Sequence, residues 1–271
     1  MQEAEKRGFT LKYSDAQNKQ ENQIKAVRSF IAQGVDGILL APIVETGWEQ
    51  VLKEARRAEI PVVLIDRGVE ASEELYLTKI ASDFIEEGAL AASWLAAETS
   101  GDCRIVEIQG TLGSSAALDR KTGFERIISH FPNMQIIRSQ SGGFTRAGGK
   151  MVMESFIKAE KGGTDICAAF AHNDDMALGA LLAIKEAGLK PAKDILLVSI
   201  DAVLDIFRAM ANGEANATIE LTPQLGAPAF DALEANRQGR EVAKWVKVNG
   251  PLYLPDTAAE EYERRMTLRK E

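Results

Sequence analysis

Short apolar runs alternate along the chain with longer segments in which apolar residues recur every third or fourth position. Apolar runs of about four to eight residues predict strands, and the longer period predicts amphipathic helices. The predicted strands are residues 9–14, 36–42, 61–66, 75–81, 103–109, 134–139, 166–172, 195–200 and 216–221. The clearest predicted helices are residues 23–34, 47–58, 151–162 and 176–188.

This alternation predicts an α/β fold. Nearly continuous apolar strands that alternate with helices indicate parallel sheets covered by helices on both faces. The sequence of strand, helix, strand ending in a polar residue, and helix occurs twice, which favours two sheets over one long sheet. We therefore predict two doubly wound parallel-sheet lobes.

The bulk composition narrows the class of protein. With 45% hydrophobic and 27% charged residues, the 271-residue chain has the composition of a soluble globular protein. Its net charge of −8 disfavours nucleic acid and anionic membrane surfaces as partners. No apolar run approaches the roughly 18 residues of a membrane helix. The charged N-terminus lacks the apolar segment of a signal peptide, so the chain as written is expected to stay in the cytoplasm.

Polar side chains follow most of the predicted strands. They are Asp66 and Arg67, Asp119 and Arg120 after a Gly/Ser loop, His172 to Asp175, and Asp201. Ligands of open α/β sheets bind at the carboxyl ends of the strands. Converging Asp, Asn and Arg groups can exchange hydrogen bonds with the hydroxyls of a neutral polyol. Capping of the next helix is the alternative for Asn173 and Asp201, and a surface turn is the alternative for Asp66–Arg67.

Catalysis and cofactor binding find little support in the sequence. His130 and His172 lack metal-ligand spacing, and no nucleophile–base pair is evident. The loop GTLGSS lacks both the Lys-Ser/Thr ending of a P-loop and GxGxxG spacing, so a tight turn is favoured. We expect binding without chemistry, with no cofactor, no metal and no catalytic residue.

Several stretches resemble a known family, the periplasmic sugar-binding proteins of ABC importers of the ribose/galactose type. The stretches are IPVVLIDRG, IASDFIEEGALAASWL, VEIQGTLGSSAALDRKTGF, FAHNDDMALGALLAIKEAG and VSIDAVLDIFRAMANGEANATIELTP. The chain resembles above all the family's galactofuranose-binding branch, through QENQIKAVRSF, APIVETGWE, IRSQSGGFTR, AHNDDM, IELTP and LYLPDTA. The resemblance implies an N-terminal lobe of residues 1–81 and 222–249 and a C-terminal lobe of residues 82–221 and 250–271.

The resemblance also implies a ligand set and a mechanism. A monosaccharide would be held between the lobes by Asp66 and Arg67 from the first lobe and by residues of the second. Those of the second lobe are Arg120, Asn173 and Asp201, with Phe144 against the sugar ring and Glu220 beside the position of a ribose-type Gln. Closure of the hinge would stabilise the loaded form, which docks on the importer's membrane subunits. The expected protein is a monomer.

The chain opens in the last turns of a helix, with Lys6, Arg7 and the capping Gly8. Family members carry a signal peptide, a first strand and most of a first helix before the position of Met1. The resemblance therefore implies a misassigned or truncated start, or a deletion, in a protein that is periplasmic at full length. Loss of a central strand predicts a destabilised first lobe and weaker sugar binding.

The two cysteines are consistent with an exported origin. Cys103 and Cys167 each begin a strand, and the resemblance makes these strands parallel neighbours in the second lobe. A disulfide between them would belong in an oxidising compartment, whereas two buried free thiols are the alternative.

Three other interpretations of the sequence remain open. One is the ligand-sensing domain of a lactose-repressor-type regulator, which shares the fold but carries a helix-turn-helix head. Another is an α/β enzyme, and the third is a truncated fragment with impaired binding.

Overall fold

The protein, described here by a computed structural model over residues 2–268, folds into two compact units. The first takes in the chain up to Asp83, together with Gly113–Ser115 and Thr222–Asn249. The second comprises Phe84–Leu112, Ala116–Leu221 and the chain from Gly250 onward. Met1 and residues 269–271, which the predicted lobe bounds include, lie outside the described residues.

Residues 2–268 contain ten α-helices and ten strands. The helices are α1 (Gln2–Lys6), α2 (Gln20–Ala32), α3 (Glu49–Arg57), α4 (Phe84–Glu98), α5 (Ser115–Ile128), α6 (Arg146–Ala159), α7 (Asp174–Glu186), α8 (Leu204–Ala211), α9 (Gly226–Arg237) and α10 (Pro255–Leu268). The strands are β1 (Ile38–Leu40), β2 (Val62–Ile65), β3 (Thr78–Ala81), β4 (Asp102–Gln109), β5 (Asn133–Ser141), β6 (Ala168–Ala171), β7 (Leu196–Asp201), β8 (Ala217–Leu221), β9 (Trp245–Lys247) and β10 (Asn249–Tyr253). Within the same residues, no helix has the length and apolar character that a membrane span needs.

The first unit is built on a four-stranded sheet with the order β1-β2-β3-β9, paired in parallel. Successive residues of β2 point to opposite faces, as in any strand. Val62 and Leu64 pack with Leu52 of α3 and its neighbours, whereas Val63 packs with Ala229 of α9. Helices therefore cover both faces of this sheet.

The second unit is built on a six-stranded sheet with the order β10-β8-β7-β6-β4-β5, in which β4 to β8 pair in parallel. Ala169 and Leu197 face the helices α6, α7 and α8, whereas Phe170 and Val198 face α4 and α5. The predicted α/β class with doubly wound parallel sheets is therefore confirmed. Cys103 and Cys167 form the predicted disulfide, with Cα atoms 5.4 Å apart.

Residues 9–14, predicted as a strand, form no strand in the structure. They line one side of a groove of about 1630 Å³ in the first unit, and β1 lines it as well. A strand needs a neighbour whose backbone accepts and donates its ladder hydrogen bonds. With the groove beside it, this segment has no strand partner among the described residues. The prediction of a destabilised first lobe stays a prediction.

Candidate functional site

The polar residues selected from the sequence lie at or beyond the carboxyl ends of strands. Asp66 and Arg67 follow β2 directly, Asn173 comes just after β6, and Asp201 is the last residue of β7. Arg120 lies in α5, the helix that follows β4. Because parallel strands end at the same edge of a sheet, each unit gathers its own polar groups at one edge.

In the first unit, Asp66 and Arg67 form a turn at the end of β2. Asp66 has a positive φ of 67°, and its backbone N–H donates to the Ile80 carbonyl at 2.9 Å. The Arg67 Nη1 donates to the Ile43 carbonyl at 3.2 Å, and its Nε lies 3.5 Å from Asp66 Oδ2. These contacts hold the carboxylate and the guanidinium side by side.

In the second unit, Arg120 is almost fully buried, with 2% of its side chain exposed. Its Nε donates to Glu87 Oε2 at 2.9 Å, and its Nη1 donates to the His172 carbonyl at 2.7 Å. The guanidinium carbon lies 4.9 Å from the centre of the Phe84 ring. The third nitrogen, Nη2, is 4.0 Å from Asp201 Oδ1. The protein therefore fixes the guanidinium plane with one edge towards Asp201.

Two glycines allow the buried ion pair to form. A Cβ atom on Gly88 of α4 would lie 2.0 Å from the Arg120 carbonyl oxygen. A Cβ atom on Gly123 of α5 would lie 1.9 Å from the Ile85 carbonyl oxygen. Since no side chain fits at either position, α4 and α5 approach closely and bring Glu87 to Arg120.

A second buried pair supports the His172 carbonyl that Arg120 contacts. His172 Nε2 donates to Glu107 Oε1 at 3.1 Å, and neither side chain is exposed. Burial by itself raises the pKa of Glu107, but hydrogen bonds from His172, Gln109 and Lys121 outweigh it and lower the pKa to about 2. Burial lowers the pKa of His172, which favours the neutral ring, and the contact with the Glu107 carboxylate requires a proton on Nε2.

The Glu107 carboxylate predicts a loss of stability in acid. The pKa of Glu107 is lower in the folded protein than its ordinary value of 4.5, so its stabilising contribution is complete above that pH. The contribution is lost as the pH falls through about 2. We expect the free energy of unfolding of the wild type to approach that of Glu107→Gln as the pH falls, in urea titrations from about pH 5 to pH 3.

Glu125→Gln is the matched control, because Glu125 also pairs with Lys121 but is exposed. If wild type and Glu107→Gln lose stability in parallel across this pH range, the assignment to Glu107 is wrong.

Asn173 both caps a helix and reaches the loop that carries Phe144. Its Oδ1 accepts a hydrogen bond from the Met176 N–H at 3.0 Å, which confirms the capping interpretation. Its Nδ2 donates to the Phe144 carbonyl at 3.5 Å. Phe144 has a φ of 60°, and its ring covers Gly110, where a Cβ atom would lie 1.9 Å from Phe144 Cζ. Asn173 and Phe144 are thus held together.

Asp201 does not cap α8, because Val203 occupies the N-cap position and makes no side-chain cap. A buried carboxylate fixes the turn instead. Asp174 Oδ2 accepts from the Val203 N–H at 2.8 Å, and its Oδ1 accepts from the Thr218 hydroxyl at 2.8 Å. Burial raises the pKa of Asp174 to about 7 despite these donors.

Glu220 is engaged by two residues near the C-terminus that the sequence patterns did not single out. Arg265 Nη2 donates to Glu220 Oε1 at 2.9 Å, and the Tyr253 hydroxyl donates to Glu220 Oε2 at 3.2 Å. The sequence patterns also did not identify Glu87 and Glu107 as partners of the site residues. Each lies on an element where no strand-end pattern marks it, so the sequence offered no signal for its pairing.

The second unit therefore gathers a guanidinium, an amide, a carboxylate and an aromatic ring, from Arg120, Asn173, Asp201 and Phe144. Arg120 links the set, because it contacts the His172 carbonyl next to Asn173 and approaches Asp201. These groups suit a neutral molecule rich in hydroxyls. Residues 2–268 contain no cluster of side chains suited to a metal ion.

The chain was compared with known protein families, proteins and solved structures. Residues 1–241 match the family described as periplasmic binding protein domain. The galactofuranose-binding protein YtfQ of Escherichia coli K12 is 59% identical over 269 residues, which are 98% of this chain and 85% of that protein.

Two solved structures are also similar. The binding protein of the arabinose ABC transporter of Shewanella sp. ANA-3, bound to L-arabinofuranose, is 57% identical, with a TM-score of 0.96 over 99% of this chain and 89% of its own. A Mycobacterium smegmatis protein in complex with β-D-fucofuranose is 44% identical, with a TM-score of 0.93 over 98% of this chain and 88% of its own. This chain belongs to the periplasmic binding protein domain family.

Proposed function

We propose that this protein is the substrate-binding component of an ABC sugar importer and that it binds a monosaccharide in its furanose form. The observation that carries the proposal is the convergence of Arg120, Asn173 and Asp201 in a chain similar to binding proteins for galactofuranose, arabinofuranose and fucofuranose. Arg120 and Asp201 supply a fixed donor and a fixed acceptor for neighbouring hydroxyls. A galactofuranose-like sugar is the proposed ligand.

The proposed mechanism is closure of two lobes around the sugar. Asp66 and Arg67 supply contacts from the first lobe, Phe144 packs against the ring, and Glu220 belongs to the rim of the second-lobe site. The sugar stabilises the closed form through contacts that the open form lacks. The loaded protein, a monomer in the periplasm, then docks on the membrane subunits. The Cys103–Cys167 disulfide supports an oxidising compartment.

Isothermal titration calorimetry of the wild type tests the ligand class. The probes are L-arabinose and D-galactose, which equilibrate between furanose and pyranose rings in water, and the corresponding methyl furanosides and methyl pyranosides, whose rings are locked. We expect binding of a furanoside and no binding of the matching pyranoside. A cooperatively folded protein that binds none of these sugars would overturn the proposal.

Replacing Asp201 tests the site itself. Asp201→Asn removes the charged acceptor and keeps the size of the side chain, so we expect sugar affinity to fall about 10- to 100-fold, as for loss of a charged hydrogen bond. Asp205→Asn is the matched control, because Asp205 lies nearby on α8 but forms its ion pairs with Arg146 and Arg208 on the surface. Equal affinities for wild type and Asp201→Asn would contradict the proposed role.

A further inference from the structure

The turn that carries Asp201 has an unusual backbone. Asp201 has a φ of 125° and Ala202 a φ of 57°, and neither is glycine. Such conformations are costly for residues with a Cβ atom, and two in succession persist only when the surroundings hold them. The contacts that hold this turn therefore determine where the Asp201 carboxylate lies.

One set of contacts comes from the interior of the second unit. The Thr218 hydroxyl accepts a hydrogen bond from the Ala202 N–H at 3.2 Å and donates to Asp174. Asp174 in turn accepts from the Val203 N–H. These contacts fix the N–H groups of the turn but leave the Ala202 carbonyl to another partner.

That partner is Arg265, 63 residues further along the chain in α10. Its Nη1 donates to the Ala202 carbonyl at 2.9 Å. Its guanidinium carbon lies 4.7 Å from the centre of the Phe207 ring and 5.5 Å from that of Tyr253. Only 20% of the side chain is exposed, so the guanidinium is packed in place rather than free in solvent.

Glu220 and Glu261 orient this guanidinium. Glu220 accepts from Arg265 Nη2, and Glu261, one turn earlier on α10, accepts from Nε at 3.2 Å. With Nη1 on the Ala202 carbonyl, all three nitrogens have a partner. A planar guanidinium with its three nitrogens bonded has one orientation, and the orientation fixes the carbonyl that it contacts.

We propose that Arg265 is a positioning residue for sugar binding, because it holds the strained Asp201–Ala202 turn in the conformation that presents the Asp201 carboxylate. The role rests on the proposed function. Besides its place in the rim of the second-lobe site, Glu220 supports sugar binding through Arg265, because its carboxylate orients the guanidinium that contacts the turn. The C-terminal helix α10 is thereby part of the binding machinery of the second unit.

The first test is hydrogen exchange in the sugar-free protein. Arg265→Met keeps most of the apolar length between Phe207 and Tyr253 but removes the hydrogen bond to the turn. We expect the amides of Ala202 and Val203 to exchange at least tenfold faster in this variant. Arg264→Met is the matched control, because Arg264 is the neighbouring residue and, among residues 2–268, forms hydrogen bonds with Glu261 alone. Unchanged exchange at both amides overturns the proposal, whether or not any sugar binds.

The second test is affinity for the furanoside that the wild type binds. We expect Arg265→Met to weaken binding about tenfold or more and Arg264→Met to leave it unchanged. Ala202→Gly removes the cost of the positive φ at this residue, so we expect it to restore part of the affinity in the Arg265→Met background. If the effects of Arg265→Met and Ala202→Gly on the binding free energy simply add, Arg265 only anchors α10, and the proposal is overturned.

The two tests separate the proposal from the function on which it rests. If the amides of Ala202 and Val203 exchange faster in Arg265→Met but the wild type binds no sugar, the proposed function is wrong, and Arg265 stabilises the turn only as part of the fold. If the wild type binds sugar and Arg265→Met binds it equally well, the positioning role is wrong and the proposed function stands. If Arg265→Met fails to fold, Arg265→Lys keeps the charge but replaces the three-nitrogen guanidinium by a single nitrogen, which cannot hold all three partners in one plane, and the same two readouts apply.

Discussion

Replacing Arg120 by methionine is expected to abolish sugar binding and to lower the free energy of unfolding by about 3–5 kcal/mol. Arg120 and Glu87 are 2% and 3% exposed, so the substitution leaves the Glu87 carboxylate buried without its guanidinium. An uncompensated buried charge costs far more than the pair contributes when it is intact. Urea denaturation measures the stability, and calorimetry with a furanoside measures the binding.

The double variant Arg120→Met/Glu87→Met separates the two effects. It removes both charges and fills the space with apolar groups, so we expect most of the lost stability to return. Binding should not return, because the guanidinium edge towards Asp201 is still missing. Arg126→Met, on the exposed side of the same helix, is the matched control and should change neither quantity. A double variant that binds sugar as the wild type does would remove Arg120 from the site.

Much of the fold could be predicted because strand and helix periods are local properties of the sequence. The apolar run 61–66 contains β2, and the run 195–200 overlaps all of β7 except Asp201. β9 and β10 were not predicted, and β9 pairs with β3, in which Lys79 is the register partner of Trp245 and lies far away in sequence. The strand predicted for residues 9–14 is wrong for the opposite reason, because the segment has the strand pattern but pairs with no strand of the part of the chain that the structure describes.

The candidate site could be predicted only where topology alone brings residues together. The polar residues at the ends of β2, β6 and β7 follow from the rule that ligands bind beyond the carboxyl ends of parallel strands. Their supporting residues do not follow from any such rule. Glu87 reaches Arg120 only because two glycines let α4 and α5 touch, and Arg265 reaches Ala202 only because α10 packs on α8. Such pairings depend on packing between helices distant in sequence.

Removing the disulfide should have the second large effect. Cys103 lies in β4 and Cys167 directly precedes the neighbouring parallel strand β6, and the Cys167 N–H donates to the Arg104 carbonyl at 2.9 Å. The two cysteines are 64 residues apart in sequence, and a loop of this length predicts a stabilisation of about 4 kcal/mol, mainly through the unfolded state. We expect Cys103→Ala/Cys167→Ala to unfold at correspondingly lower urea concentrations.

Sugar binding should respond differently from stability. The disulfide lies near the start of β4 and just before β6, whereas Asn173 lies beyond the end of β6, at the opposite edge of the sheet. Because the constraint acts on the unfolded chain, the folded double variant should bind a furanoside with the affinity of the wild type. Reductant should lower the stability of the wild type to that of the variant and leave the variant unchanged. A variant as stable as the oxidised wild type would show that the strand pairing alone holds this edge of the sheet together.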